Sequence, residues 1–403
     1  MDSSEITLEA VSSVSQIPAD EWNACANPTS CPDGLASGFK SPYNPFVSHA
    51  FFSAVEASGS ATARTGWGPR HLLARREGQI SGIVPCYLKS HSRGEYVFDR
   101  GWADAYERAG GSYYPKLQAS VPFTPAGGPR LLIRDDEDQD EIRTALARGL
   151  VGLCQATEAS SVHVTFARET EWRFLAQHGF LQRTDQQFHW HNQGYRSFDD
   201  FLATLNSRHR KAIKRERREA VANGITIHAL NGGEITEEAW DAFFEFYMET
   251  GSRKWGRPYL TRSFFSLIGE TMAKDVLLVM ARRNDRWIAG AINFIGSDTL
   301  FGRNWGAIEH HPFLHFEVCY YQAIDFAIAR GLQTVEAGAQ GEHKIARGYL
   351  PQTTYSAHYI ADPGLRYAIA DYLKRERAYV AEMGRELSEA GPFRKDSGTL
   401  DND

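Results

Sequence analysis

At 403 residues the chain exceeds one ordinary core, and two domains of roughly 150–200 residues each are expected. A hydrophobic share of 42% with 12% aromatic fits a globular protein, and a net charge of −6 argues against indiscriminate nucleic-acid binding while allowing a local basic patch. No run of about 18 apolar residues occurs, and the start MDSSEITLEAVSSVSQ is acidic and lacks an apolar segment, so neither membrane insertion nor secretion is expected and the predicted location is cytoplasmic.

In chain order, EITLEAV predicts a strand and PADEWNACA a short helix, followed by the Pro-, Gly- and Ser-rich loop NPTSCPDGLASGFKSPYNP. FVSHAFFSAVEAS has helical apolar spacing, and HLLARREGQISGIVPCYLK reads as strand, tight turn at Glu77-Gly78, strand. The next stretch, SHSRGEYVFDRGWADAYERAGGSYYPKLQASVPFTPAGG, is crowded with Tyr, Trp and charge and shows little apolar periodicity. The helix EIRTALARGLVGLCQ, the strand SVHVTF, the helix ETEWRFLAQHGFL and the strand QQFHWHN complete the first half.

The second half opens with SRHRKAIKRERREAVANG, a helix closed by Asn223-Gly224. Lys211, Lys214, Arg215 and Arg218 share one arc of it, with Ala212, Ile213 and Ala220 opposite. Only Glu216 and Glu219 offset its cations, so the arc is either a solvated face or a site for a polyanion. The hairpin LLVMARRNDRWIAGAINFI, the helix FEVCYYQAIDFAIARG, the strand TVEAGA, the helix GEHKIARGYL and the strand YSAHYIA follow.

The halves match. Ala74-Arg75-Arg76 answers Ala281-Arg282-Arg283, Gly82 answers Gly290, and His178-Gly179-Phe180-Leu181 answers Arg347-Gly348-Tyr349-Leu350. A glycine ending a helix before an apolar residue is common, but its recurrence after the same elements indicates two copies of one module. Gly179 and Gly348 are therefore expected at equivalent positions.

This module resembles the GNAT acyltransferase fold, and two in one chain resemble the Fem-type transferases. The match is nearest the bacterial FemAB-like N-acyltransferases associated with peptidoglycan biosynthesis. It is carried by NPFVSHAFF, KSHSRGEYVFDRGWADAYERAGGSYYPKL, VPFTPAGGPRLL, SRHRKAIKRERR, LHFEVCYYQAIDFAIARGL and GAQGEHKIARGYLP. The implied fold is α/β with a mixed sheet and two tandem GNAT-like modules. The first would span 45–192, with an aromatic, charged insertion at 90–128. The second would span 193–385 behind the basic helix 207–222, with an N-terminal segment 1–44 and a tail 386–403.

The resemblance implies an N-acyltransferase, with a non-catalytic ligand-binding protein on the same scaffold as the alternative. The donor would be an acyl-CoA or an aminoacyl-tRNA, and the acceptor a small-molecule or peptide amine. The pyrophosphate loop of acetyl-CoA enzymes is absent from both copies. The basic arc of Lys211, Lys214, Arg215 and Arg218 suits a larger anion such as tRNA. Gln340, Gly341, Lys344 and Arg347, at a helix N-terminus, are expected to meet the donor's phosphates.

Acyl transfer to an amine needs a base and an oxyanion contact. Glu342, His343 and Glu317 are the candidate bases, with Glu336 next and Tyr349 as a proton donor to the leaving group. Asp99, Arg100, Trp102, Asp104, Tyr106, Glu107, Tyr113, Tyr114 and Lys116 are candidate acceptor contacts, or the residues of a structural lid. Glu342, His343, Lys344 and Arg347 are expected to share a cleft with Asp99 to Glu107. The five cysteines form no C-x-x-C pair, and His189, His191, His310, His311 and His315 show no metal-ligand spacing. Reduced thiols and no metal are expected.

Overall fold

The computed structural model describes residues 5–28, 42–135, 137–255, 258–339 and 341–394. Cys31, Gln340 and most of the loop 27–45 lie outside these residues.

The first hairpin splits between two sheets. His71–Arg76 pairs with Gln79–Val84 around Glu77 and Gly78, whose φ angles of 50° and 82° make the tight turn. Trp67–Pro69 pairs with Cys86–Lys89 at the hairpin's base. Pro85, between the two segments of the returning strand, has no N–H to carry the ladder across. The tip joins Thr7–Val11 and Leu132–Ile133 in a four-stranded sheet, while the base belongs to an eleven-stranded one.

The large sheet is palindromic about its centre. There Leu181–His191, the last strand of the first half, pairs antiparallel with Leu350–Ile360, the last strand of the second. Outside Leu350–Ile360 lie Ser161–Ala167, then the parallel Lys116–Ala119, then Cys86–Lys89. Outside Leu181–His191 lie Thr334–Glu336, then the parallel Thr299–Ala307, then Arg286–Ile295. Each last strand thus sits against the parallel pair of the other half. This is a mixed sheet built from two related sets of strands, with the halves fused into one.

The cores are shared accordingly. Phe46 and Phe51 from the first half pack with Phe264, Phe294 and Phe301 from the second in one apolar cluster. Helices Gln139–Ala156 and Glu169–Gln177 bury Leu146, Leu150 and Leu175 with Val162 and Val164.

Four features depart from the sequence reading. The stretch 90–128 is not loop throughout, since Arg100–Arg108 is a helix and Lys116–Ala119 an inner strand of the sheet. Thr299–Ala307 is its counterpart in the second half. Glu342–Arg347 is a short 3₁₀ helix, set up by Gly341 at φ 103° and closed by Gly348 at φ 86°, not an α-helix. Helix Pro363–Glu389, capped by Asp362 accepting from the Leu365 N–H at 2.7 Å, runs past the boundary at 386.

Candidate active site

The second half's parallel pair opens into a gap. Thr299, Leu300 and Phe301 pair with Thr334, Val335 and Glu336. Beyond that point one strand continues to Ala307, while the other ends at Glu336, with the 3₁₀ helix Glu342–Arg347 further along the chain. Arg303 stands at the mouth and donates from Nη2 to Glu336 Oε1 at 2.9 Å, the two side chains being 4% and 3% exposed. Its Nη1 donates to the Gly302 carbonyl at 2.7 Å, and its Nε has no hydrogen-bond partner.

The neighbouring strand places His189 in register with Glu336. Burial pushes this imidazole down to about 4, so it is neutral at pH 7, and its Nε2 lies 3.2 Å from Gln187 Oε1. Arg130 reaches in from the first half, 1% exposed, with Nε and Nη2 donating to the carbonyls of Thr165 and Ala126. Lys344 is buried as well. It donates to the carbonyls of Ala337 at 2.6 Å and Gly338 at 3.2 Å, and burial pushes its ammonium down to about 8. Glu336 is thus paired with Arg303, with the Arg130 guanidinium in Coulombic reach, in a buried site where charge developing in a reaction is felt strongly.

The residues expected in one cleft fall at opposite ends of Leu350–Ile360. Trp102 lies 5.0 Å, ring to ring, from His358 near the end of that strand, whereas Tyr349 just precedes its start. At about 3.3 Å per residue the two groups are roughly 30 Å apart.

At the far end, Asp99 and Lys116 are not acceptor contacts but a buried ion pair at 2.5 Å, with Lys116 also donating to Glu95 at 2.6 Å and Ser92 at 2.8 Å. Burial alone would raise the Asp99 carboxyl, but the Lys116 ammonium outweighs it and holds the group below the usual carboxylate range. Tyr113 donates to Asp99 at 2.7 Å, and Trp102 is buried against Leu365 and Ile369 of the C-terminal helix. Arg100, Asp104 and Glu107 are exposed, while Tyr106 and Tyr114 are half-buried, the Tyr114 hydroxyl 2.8 Å from Ser92 Oγ.

At the near end Glu342 and His343 are exposed at the rim, with His343 Nε2 3.1 Å from the Tyr320 hydroxyl. Arg347 does not face solvent. It donates twice to Glu216 at 2.9 Å, lies 3.4 Å over the Phe316 ring, and holds its turn to the basic helix. Glu317 is no free base, because Arg217 and Gln322 donate to it at 3.0 and 2.7 Å. Tyr349 is fully buried and donates to the Tyr320 carbonyl at 3.1 Å, out of reach of a leaving group. Lys211, Lys214, Arg215 and Arg218 do form an exposed arc on helix Ser207–Ala220, with Lys214 3.1 Å from Asp199. Among the described residues no group of three or more His, Cys, Asp or Glu is placed to hold a metal.

Arg303 and Arg130 are not among the residues expected from sequence, whereas Glu336 is one of the candidate bases and His189 enters there only as a metal-ligand question. One signal was available: in TLFGRNWGA an arginine interrupts an otherwise apolar and small-residue strand. A charge in an inner strand needs a partner, and Glu336 is that partner.

A family model described as peptidoglycan biosynthesis/recognition, FemAB-like, matches residues 13–395. The chain belongs to the FemAB-like family. Solved structures of similar architecture include FemX, at 13% identity, covering 78% of this chain and 93% of that one with a TM-score of 0.49. L-PGS from Bacillus licheniformis is 8% identical over 82% and 98% of the two chains, with a TM-score of 0.49. A tandem GNAT protein from the clavulanic acid biosynthesis pathway is 9% identical over 89% and 99%, with a TM-score of 0.44. No curated protein sequence matches.

Proposed function

We propose that this FemAB-like chain moves an acyl or aminoacyl group from an activated carrier to a primary amine, in one step, at the gap beside Arg303 and Glu336. The observation that carries the reading is the buried Arg303–Glu336 pair at the point where two parallel strands part. A buried ion pair is weak evidence for stability. One whose guanidinium keeps an unused donor in an opening sheet is better explained by a ligand.

In this reading Glu336 takes the proton from the acceptor's ammonium. The amine nitrogen then attacks the acyl carbonyl and a C–N bond forms. The C–S or C–O bond to the carrier breaks, and the carrier leaves with the proton. Arg303 and the nearby Lys344 stabilise the oxygen's developing charge. The exposed arc of Lys211, Lys214, Arg215 and Arg218 would receive the phosphates of the carrier, an acyl-CoA or an aminoacyl-tRNA. The acceptor would be an amine of a peptidoglycan precursor, as the family's description suggests. No helix among the described residues is long and apolar enough to cross a membrane, which fits an acceptor reached from solution.

The test is incubation with acyl-CoAs and, separately, charged tRNA, using a lysyl peptide as acceptor and mass spectrometry of the product. One donor class should give the acylated peptide, and Glu336→Gln should slow it by about 10²–10⁴-fold. Binding of donors without any product would favour the ligand-binding alternative and overturn the reading.

A further inference from the structure

Helix Pro363–Glu389 packs on strands Leu181–His191 and Leu350–Ile360 and buries one side only, through Leu365, Ile369 and Leu373. Its other side carries Tyr367, Tyr372 and Tyr379, which are 81%, 44% and 60% exposed. Phe98, 57% exposed, adjoins them. Arg183 donates to its carbonyl at 2.8 Å and pairs with Glu376 of the helix at 2.7 Å, and Glu376 also accepts from the Tyr372 hydroxyl at 2.9 Å. Four of the eight large apolar side chains exposed among the described residues thus gather on one face, as they do where a partner binds.

The spacing says which partner. Ala368, Tyr372, Arg375 and Tyr379, all exposed, follow one another at intervals of four, three and four residues, the seam along which two helices coil together. Across that seam the sequence complements itself. Two copies of the helix laid antiparallel, with a two-fold axis between Leu373 and Lys374, set Tyr379 of each over Ala368 of the other, large against small. They also bring Arg375 of each to the ring of Tyr372 of the other, a cation on an aromatic face. Arg375 pairs with Asp371 of its own helix at 3.0 Å, so it brings a guanidinium plane without a net charge. On the other flank Tyr367 and Ala378 repeat the match of large and small. The exposed acids Asp371, Glu382, Glu386 and Glu389 outnumber Lys374, Arg375 and Arg385, so the face attracts neither nucleic acid nor an anionic membrane.

We propose that a second copy of the chain docks on this face, helix against helix, as an antiparallel two-fold dimer. The same patch serves both copies, so association closes at two. Stable dimers bury about 1,200–2,000 Å² in total, and one helix pair with Phe98 beside it reaches at most the lower end, so a dissociation constant on the order of micromolar is expected. No residue of the gap takes part, so the dimer and the transfer reading stand or fall separately.

Sedimentation equilibrium of the full chain from about 1 to 200 μM should show monomers passing to dimers and no larger species. Ala368→Trp places bulk where Tyr379 of the other copy must sit and should weaken the dimer at least about tenfold, although it adds apolar surface. Tyr372→Arg sets like charges across the seam and should abolish the dimer. Adding Arg375→Tyr exchanges the two partners and should restore the affinity to within about threefold of the original. The substituted positions are exposed, so circular dichroism should show all variants folded. A monomer throughout that range, a dimer unchanged or strengthened by Ala368→Trp, or a folded double exchange that stays monomeric overturns the proposal. So does a monomer that binds phosphatidylglycerol vesicles through the same tyrosines.

Discussion

Arg347 shows how a residue's burial reverses its meaning. In sequence it is one cation of a polar helix start, whose loss should affect activity more than folding. In the structure it neutralises Glu216, which is 8% exposed and also accepts from the Tyr321 hydroxyl. Arg347→Ala therefore leaves a buried carboxylate without its cation, which costs about 3–5 kcal/mol. Urea unfolding should show that loss, and a change below about 1 kcal/mol would mean Glu216 finds water instead.

The pair His163 and His358 gives a second test at this scale. Their Nδ1 atoms are 2.8 Å apart, which requires one ring to donate and the other to accept, both neutral. Burial pushes His163 down to about 3 and His358 well below its ordinary value, and burial lowers His189 in the same way. Unfolded rings take up protons near pH 6.5 while the folded ones do not. Stability is thus complete above about pH 6.5 and falls on acidification, by about 1.4 kcal/mol per pH unit for each ring. Unfolding free energies at pH 7, 6 and 5 should decline accordingly, and His358→Gln should flatten the decline. A wild-type profile level between pH 7 and 5 would contradict the neutral pair.

Among elements, the two terminating glycines separate backbone conformation from packing. Gly179 and Gly348 both adopt φ 86° before an eleven-residue strand. A β-carbon at Gly179 would have open space, its nearest neighbour Arg366 at 3.7 Å, whereas at Gly348 it would sit 2.8 Å from the Phe201 ring. Gly179→Ala should cost about 1 kcal/mol from the left-handed backbone, and Gly348→Ala clearly more, since Phe201 must also move. Equal melting temperatures for the two variants would show that Phe201 yields freely. The glycines were legible in sequence because a turn's chemistry is local. The inner strands were less so. KLQA is four residues with a lysine at its start, and nothing nearby in sequence announces that Glu95 and Asp99 will neutralise it. The site suffered likewise, because Arg303 meets Glu336 from a separate strand of the same half, and His189 and Arg130 reach it only through strand exchange between the halves.

That exchange sets how the molecule as a whole behaves. The repeats visible in sequence predict two modules meeting near residue 192, and the order of strands does show two related sets. Yet Leu181–His191 hydrogen-bonds to Thr334–Glu336, and Leu350–Ile360 to Ser161–Ala167, so neither half completes its sheet alone. Separated halves would expose unpaired strand edges, which invite aggregation, and would divide the aromatic cluster of Phe46, Phe51, Phe264 and Phe294. Residues 1–192 and 193–403 produced separately should therefore be insoluble or lack a cooperative melting transition. Produced together, with the break at the exposed turn Gln193-Gly194, they should copurify in equal amounts and melt as one unit. The Arg303–Glu336 gap lies wholly in the second half, but Arg130 and His189 come from the first. Acyl transfer should accordingly appear only in the reassembled pair. A monomeric half that melts cooperatively by itself would show that the exchanged strands are decoration on two independent cores.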